Sequence, residues 1–306
     1  MFWLLLVVMY ALSSSTFVVG SLAMQHVSPI FFIGMRMMLA APVLFLYLFL
    51  RAKACRIRAA DILSVLLLGV VQIFIPLVGE AYALTTLSAA KVSLIWSLSP
   101  FMTAIFSWSF FGERITKTKF FGLMVGIAGF IPLVVHAGIS SAQSLFTVGF
   151  ADAILILVVI SSAFAWNLFR KLLQKGYQSL QLNAWSMLFA GILSIALSYR
   201  VDSWSPLPVD NWSVVLMCLV YLVIIGNIIF YNLYGYMLHH YTATLLSFAG
   251  GSTPFLTALL QWIFLGQPVG IAFFMSLGII IIGLFIFYKE DLRQGYIARS
   301  LQSKKS

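Results

Sequence analysis

Apolar windows of about twenty residues follow one another along this chain, punctuated by short polar or basic stretches. A helix of that length spans the ~30 Å of a bilayer's hydrocarbon. A transmembrane β-barrel would show ~10-residue alternating segments instead. The windows predict ten helices, over 2–24, 30–50, 62–83, 87–111, 120–135, 151–169, 180–199, 212–238, 242–265 and 269–288. The longest connections, 137–150 and 200–211, hold the turn formers Gly138, Ser140, Ser141, Ser203, Pro206 and Pro208 and leave no room for a soluble domain. Residues 1–23 have neither a basic n-region nor a small-residue cleavage site, so they are read as the first helix and not as a secretion signal.

An internal repeat organises these windows. Ser93 to Glu113 reads SLIWSLSPFMTAIFSWSFFGE, and 154 positions on Ser247 to Gln267 reads SFAGGSTPFLTALLQWIFLGQ, without a gap. Pro100, Phe101, Thr103, Ala104, Trp108, Phe110 and Gly112 recur as Pro254, Phe255, Thr257, Ala258, Trp262, Phe264 and Gly266. Five helices per copy is an odd number, which inserts the second copy upside down relative to the first. The expected fold class is therefore an all-α integral membrane protein of ten transmembrane helices in two inverted-topology five-helix repeats, over residues 1–150 and 151–306. Inverted repeats recur in secondary transporters, with the substrate near the midplane.

Composition agrees with this reading. Charged residues are 8% of the 306 and apolar ones 62%, whereas a soluble domain carries roughly 25% charged. The net charge of +10 would suggest nucleic acid in a soluble protein. Here the basic residues sit in short loops and a tail, as the positive-inside rule expects. With the N-terminus in the cytoplasm, Arg51, Lys53, Arg56, Arg58, Arg114, Lys117, Lys119, Arg170, Lys171, Lys175, Lys289, Arg293, Arg299, Lys304 and Lys305 are inside and Arg200 alone is outside. Arg36 and Lys91 stay within spans. Both termini are expected in the cytoplasm of a bacterial-type inner membrane, with lipid as the surrounding partner and no nucleic acid. A homodimer is compatible with the pattern.

The Pro100 helix ending in Gly112-Glu113-Arg114, its partner with Pro254 and Gly266-Gln267, and Arg36 shortly after Pro29 resemble the drug/metabolite transporter superfamily, EamA branch, over nearly the whole chain. The resemblance implies a carrier of small metabolites working by alternating access without ATP hydrolysis. A narrower resemblance is to bacterial EamA-type carriers of S-adenosylmethionine. Gln267 where the first copy has Glu113, and the charges of Glu80 and Lys91, depart from the usual pattern.

Candidate substrate contacts follow from helical spacing and intramembrane polarity. Ser93, Trp96, Ser97, Pro100, Thr103, Ala104 and Ser107 form one small, polar face, repeated by Ser247, Gly250, Gly251, Pro254, Thr257, Ala258 and Gln261, with Thr253 beside the second proline. Such faces allow close helix packing or line a cavity where broken helices expose backbone. Trp166 with Asn167, and Asn227 with Tyr231 and Tyr234, add polar-aromatic pairs, and Tyr10, Ser13 and Ser14 line the first helix.

Arg36, Glu80 and Lys91 stand out because an ionisable group within a span marks a functional site by default. Their bland readings are a structural ion pair for Arg36 and Glu80, and a snorkelling side chain for Lys91. A carboxylate would favour Arg36 or Lys91, an α-amino group Glu80, and a cationic remainder the aromatics. The expected function is thus a secondary transporter of a small polar or zwitterionic metabolite, best an amino-acid-derived solute, with exchange of two related solutes as a live mode. The alternatives are an exporter of amino acids or other metabolites, a membrane-embedded enzyme acting on lipid-linked substrates with Glu80 as acid or base, and a channel or scaffold. The sequence contains no HExxH, P-loop or Gly-x-Ser-x-Gly motif, and Cys55 and Cys218 have no metal-ligand spacing. No cofactor, metal or catalysis is expected.

Overall fold

The computed structural model describes residues 2–51, 55–87, 89–132, 149–266 and 270–296. Its regular elements are helices, apart from one isolated antiparallel bridge between Val27 and Val209. They run α1 Phe2–Ala23, α2 Pro29–Leu50, α3 Ala59–Leu84, α4 Ala89–Trp96, α5 Ser99–Phe111, α6 Lys117–Ala128, α7 Phe150–Gln174, α8 Ser179–Val201, α9 Trp212–Met237, α10 Ala243–Gly250, α11 Thr253–Leu265 and α12 Ile271–Arg293. Among the described residues nine stretches are long and apolar enough to cross a membrane, not ten. The difference is the fifth window: α6 carries it only to Ala128, and the expected span to residue 135 runs beyond the described residues.

Two expected spans are broken, and in the same way. The fourth is divided into α4 and α5 at Ser97-Leu98, and the ninth into α10 and α11 at Gly251-Ser252. At the first break the backbone N–H groups of Ser97 and Leu98 donate to the carbonyls of Leu94 and Ile95, and those of Phe101 and Met102 donate to Leu98. At the second, Gly251, Ser252, Phe255 and Leu256 repeat this pattern onto Phe248, Ala249 and Ser252. Proline explains the position: Pro100 and Pro254 lack an N–H and fit the first turn of a new helix. Both α5 and α11 then stop at a glycine with φ 66°, Gly112 and Gly266, a left-handed conformation that glycine adopts without steric cost.

The repeat extends to backbone features that its residues do not announce. A π-helical segment, Gly69–Phe74, interrupts α3, and another, Leu222–Phe230, interrupts α9 at the corresponding place.

The described chain divides into two compact units, one of Met1–Ala81 with Leu168–Tyr236 and the other of Tyr82–Asn167 with Met237–Ser306. In the first, α2 packs along α8, its counterpart in the other repeat. A Cβ on Gly34 would press on Ile195, and one on Gly191 on Met37 and Met38, so the two helices run antiparallel. In the second, α6 packs along α12. There Gly122 and Gly283 bring the backbones together, a Cβ on Gly283 falling 2.6 Å from the Gly122 carbonyl oxygen. This is the close approach that small residues permit in lipid. A helix antiparallel to its own repeat counterpart is the mark of an inverted repeat.

Candidate functional site

In the first unit, Arg36 projects from α2 towards the π segment of α9. Its Nε and Nη2 donate to Asn227 Oδ1 at 3.4 and 3.2 Å, while Asn227 Nδ2 donates to Met37 Sδ at 3.1 Å. Asn227 is wholly buried, so its amide is spent on fixing the guanidinium. The guanidinium also lies over the Phe32 ring, 5.9 Å from its centroid. Gly226 supplies the room, since a Cβ there would meet Arg36 Nη2 at 3.4 Å and Thr16 Cγ2 at 3.3 Å. Among the described residues no carboxylate is in ion-pair distance of Arg36. A half-buried guanidinium within a span is thereby oriented by a neutral amide and keeps its charge for another partner.

Tyr231, one turn beyond Asn227, is in electrostatic reach of both Arg36 and Glu80. Phe230 sets its ring edge-on to Tyr231 at 5.7 Å and to Tyr234 at 6.0 Å, and Tyr234 is hydrogen-bonded to Tyr10 of α1. Four expected residues, Arg36, Glu80, Asn227 and Tyr231, thus gather in one unit with an aromatic border. Thr16 and Phe32 complete the surroundings, and neither belongs to a motif or polar stripe that singles it out along the chain.

The other expected residues lie in the second unit. Ser97 and Pro100 at one helix break and Gly251 at the other line a small pocket with Phe130, Phe248 and Ile280. Ser97 Oγ donates to the Leu94 carbonyl at 2.5 Å and Ser252 Oγ to Ala249 at 2.6 Å, so at each break a serine adds its hydroxyl to the carbonyl that already accepts its own N–H. Gly250 ends α10 and Thr253, buried, begins α11. Trp96 and Trp166 are half-buried.

Asn167 is wholly buried in a satisfied network: Nδ2 donates to the Thr103 and Ala163 carbonyls, Oδ1 accepts from Ser107 Oγ at 2.8 Å, and Thr244 donates to Ser107. That network ties α7 to α5 and α10. Lys91 neither snorkels nor stands alone. At 6% exposure its Nζ lies 2.6 Å from Asp152 Oδ1, and Asp152 Oδ2 accepts from the Gly149 N–H at 2.8 Å.

Nine long apolar stretches among the described residues, the same helix break in both repeats and a charged side chain oriented inside a span define a multi-pass membrane protein of carrier type. Residues 1–135 and 149–289 each match the EamA-like transporter family, and the chain belongs to it. It is 33% identical, over 94% of its length and 91% of the relative's, to the S-adenosylmethionine/S-adenosylhomocysteine transporter of Chlamydia muridarum (strain MoPn / Nigg). It is 32% identical to the protein of the same name in Chlamydia trachomatis serovar L2 (strain ATCC VR-902B / DSM 19102 / 434/Bu), over 94% of this chain and 89% of that one. A solved crystal structure with 19% identity superposes with a TM-score of 0.75, over 95% of this chain and 97% of its own, which is a likeness of fold alone.

Proposed function

We propose that the protein exchanges S-adenosylmethionine for S-adenosylhomocysteine across a bacterial inner membrane, by alternating access and with both termini in the cytoplasm. The observation that carries the reading is Arg36, a guanidinium inside a span whose hydrogen-bond partner is the neutral amide of Asn227. Relatives that cover most of the chain, named for these two solutes, support the choice of cargo.

Both solutes carry an amino-acid headgroup. Its carboxylate meets Arg36, a charge-assisted pairing that offsets the desolvation of each partner. Its ammonium is drawn to Glu80, and Tyr231 stands in reach of both. The sulfonium of S-adenosylmethionine faces aromatic rings, an attraction of ~0.5 to 2 kcal/mol. Within the second unit, Trp96, Ser97, Pro100, Trp166, Gly250, Gly251 and Thr253 are proposed as solute contacts in their own right, whereas Asn167 and Lys91 act by positioning helices.

Counterflow tests the reading. Proteoliposomes holding only this protein and loaded with unlabelled S-adenosylhomocysteine should accumulate external labelled S-adenosylmethionine transiently, saturably and chemically unchanged. Label that is altered, or uptake that never saturates, would replace the carrier with an enzyme or a channel.

A further inference from the structure

Gln72 lies in the π-helical segment of α3 and is 4% exposed, and among the described residues neither Oε1 nor Nε2 of its carboxamide has a hydrogen-bond partner. Ser194 of α8, wholly buried, has an equally unspent Oγ. A buried amide left unsatisfied at both ends is costly, and native interiors rarely keep one. Polar groups within membrane spans mark solute paths, and π-helical turns occur often at functional sites.

The repeat says what these two groups correspond to. In the register that aligns Ser93 with Ser247, Gln72 falls on Gly226, the residue that makes room for the Arg36 guanidinium. In the register set by Gly34 and Gly191, each pressed on the other's helix, Ser194 falls on Met37, which accepts from Asn227. One π segment therefore borders the Arg36 position, while its counterpart carries an amide, and α8 a hydroxyl, with their hydrogen bonds still to make.

We propose that Gln72, assisted by Ser194, is the specificity determinant for the neutral end of the solute, hydrogen-bonding the edge of an amino-substituted heteroaromatic base. The inference rests on the exchange reading above. A carboxamide presents N–H and C=O side by side and so matches an exocyclic amine next to a ring nitrogen, the pairing by which Asn and Gln recognise adenine. With no charge, it discriminates by donor and acceptor pattern, and a site built to make such bonds rejects an analogue that cannot return them.

The test uses the full chain in proteoliposomes and competes labelled S-adenosylmethionine exchange with two ligands. One is S-adenosylhomocysteine, and the other is its analogue with a carbonyl oxygen in place of the exocyclic amine. Wild type should prefer the amine form by about tenfold or more. Gln72→Met should bring the preference to roughly onefold while exchange continues through Arg36, and Ser194→Ala should reduce it less. Gln72→Met that is monodisperse and keeps the full preference overturns the proposal. So does a wild type that exchanges but does not discriminate, a result that needs no variant to fold. A wild type that carries no S-adenosylmethionine at all defeats the exchange reading itself.

Discussion

The Lys91–Asp152 pair offers the sharpest test of how this bundle tolerates charge. Both side chains are buried, 8% and 5% exposed, with Nζ and Oδ1 2.6 Å apart. Removing one partner leaves the other charge uncompensated, a loss of ~3 to 5 kcal/mol for buried pairs. The two deletions should not be equal. Asp152 lies in the first turn of α7, where the helix dipole favours an anion, and it accepts from the Gly149 N–H. Asp152 therefore keeps support when Lys91 is gone. Lys91 lies in the first turn of α4, where the dipole disfavours a cation, so without Asp152 it has the opposite environment.

Asp152→Asn should cost more than Lys91→Met by roughly 0.5 to 1 kcal/mol, the usual size of a dipole effect. The double variant Lys91→Met with Asp152→Asn should recover most of the loss, because it leaves no buried charge without its partner. Unfolding of the purified protein in mixed micelles, arranged as a double-mutant cycle, reads all three. A coupling near zero, or Lys91→Met costing more than Asp152→Asn, would refute the reasoning. The folded double variant should still exchange solute; if it folds but does not, Lys91 touches the cargo.

Glu80→Gln should abolish saturable exchange in a protein that remains monodisperse by size-exclusion chromatography, and normal exchange would make this charge structural. Because S-adenosylmethionine carries one more positive charge than S-adenosylhomocysteine, exchange should be electrogenic. A potassium diffusion potential of ~100 mV, inside negative, should raise the accumulation ratio by up to about fiftyfold, from ~2.3 kcal/mol per charge. Insensitivity to valinomycin would contradict that exchange stoichiometry. Asn167→Leu should destabilise by about 1 to 3 kcal/mol, because Ser107 and the Thr103 carbonyl lose their partner; an unchanged melting temperature would show the network to be dispensable. Cys55, half-exposed before α3, should react with impermeant thiol reagents only from the cytoplasmic side, and labelling on intact cells would invert the topology.

Helix positions, the repeat and the charges of interest were legible because each depends on local composition or on an ungapped match. Pro100 and Pro254 were read inside single spans, and the break into separate elements at Ser97-Leu98 and Gly251-Ser252 depends on hydrogen bonds that residue types do not dictate. The π segments carry no such marker: GVVQIF is apolar like its flanks, and the widened turn comes from packing. Gln72 went unnoticed because a single amide in an apolar run has no periodicity, and only its unspent hydrogen bonds single it out. The partners of Lys91 and Asn167 were out of reach for a related reason. The register of α4 and α5 on α7 is tertiary, so spacing along the chain identified polar residues without telling a cargo contact from a satisfied interior pair.

The central claim is that Arg36, oriented by Asn227, binds the headgroup of the carried solute. Calorimetric titration of S-adenosylhomocysteine into purified protein measures it directly, since this solute lacks the sulfonium and relies on its headgroup and base. Wild type should bind with saturation at one site, and Arg36→Gln, monodisperse and with unaltered helix content, should lose binding by at least about a hundredfold, the scale of a buried charge-assisted pair. An Arg36→Gln protein that binds as tightly as wild type would contradict the account.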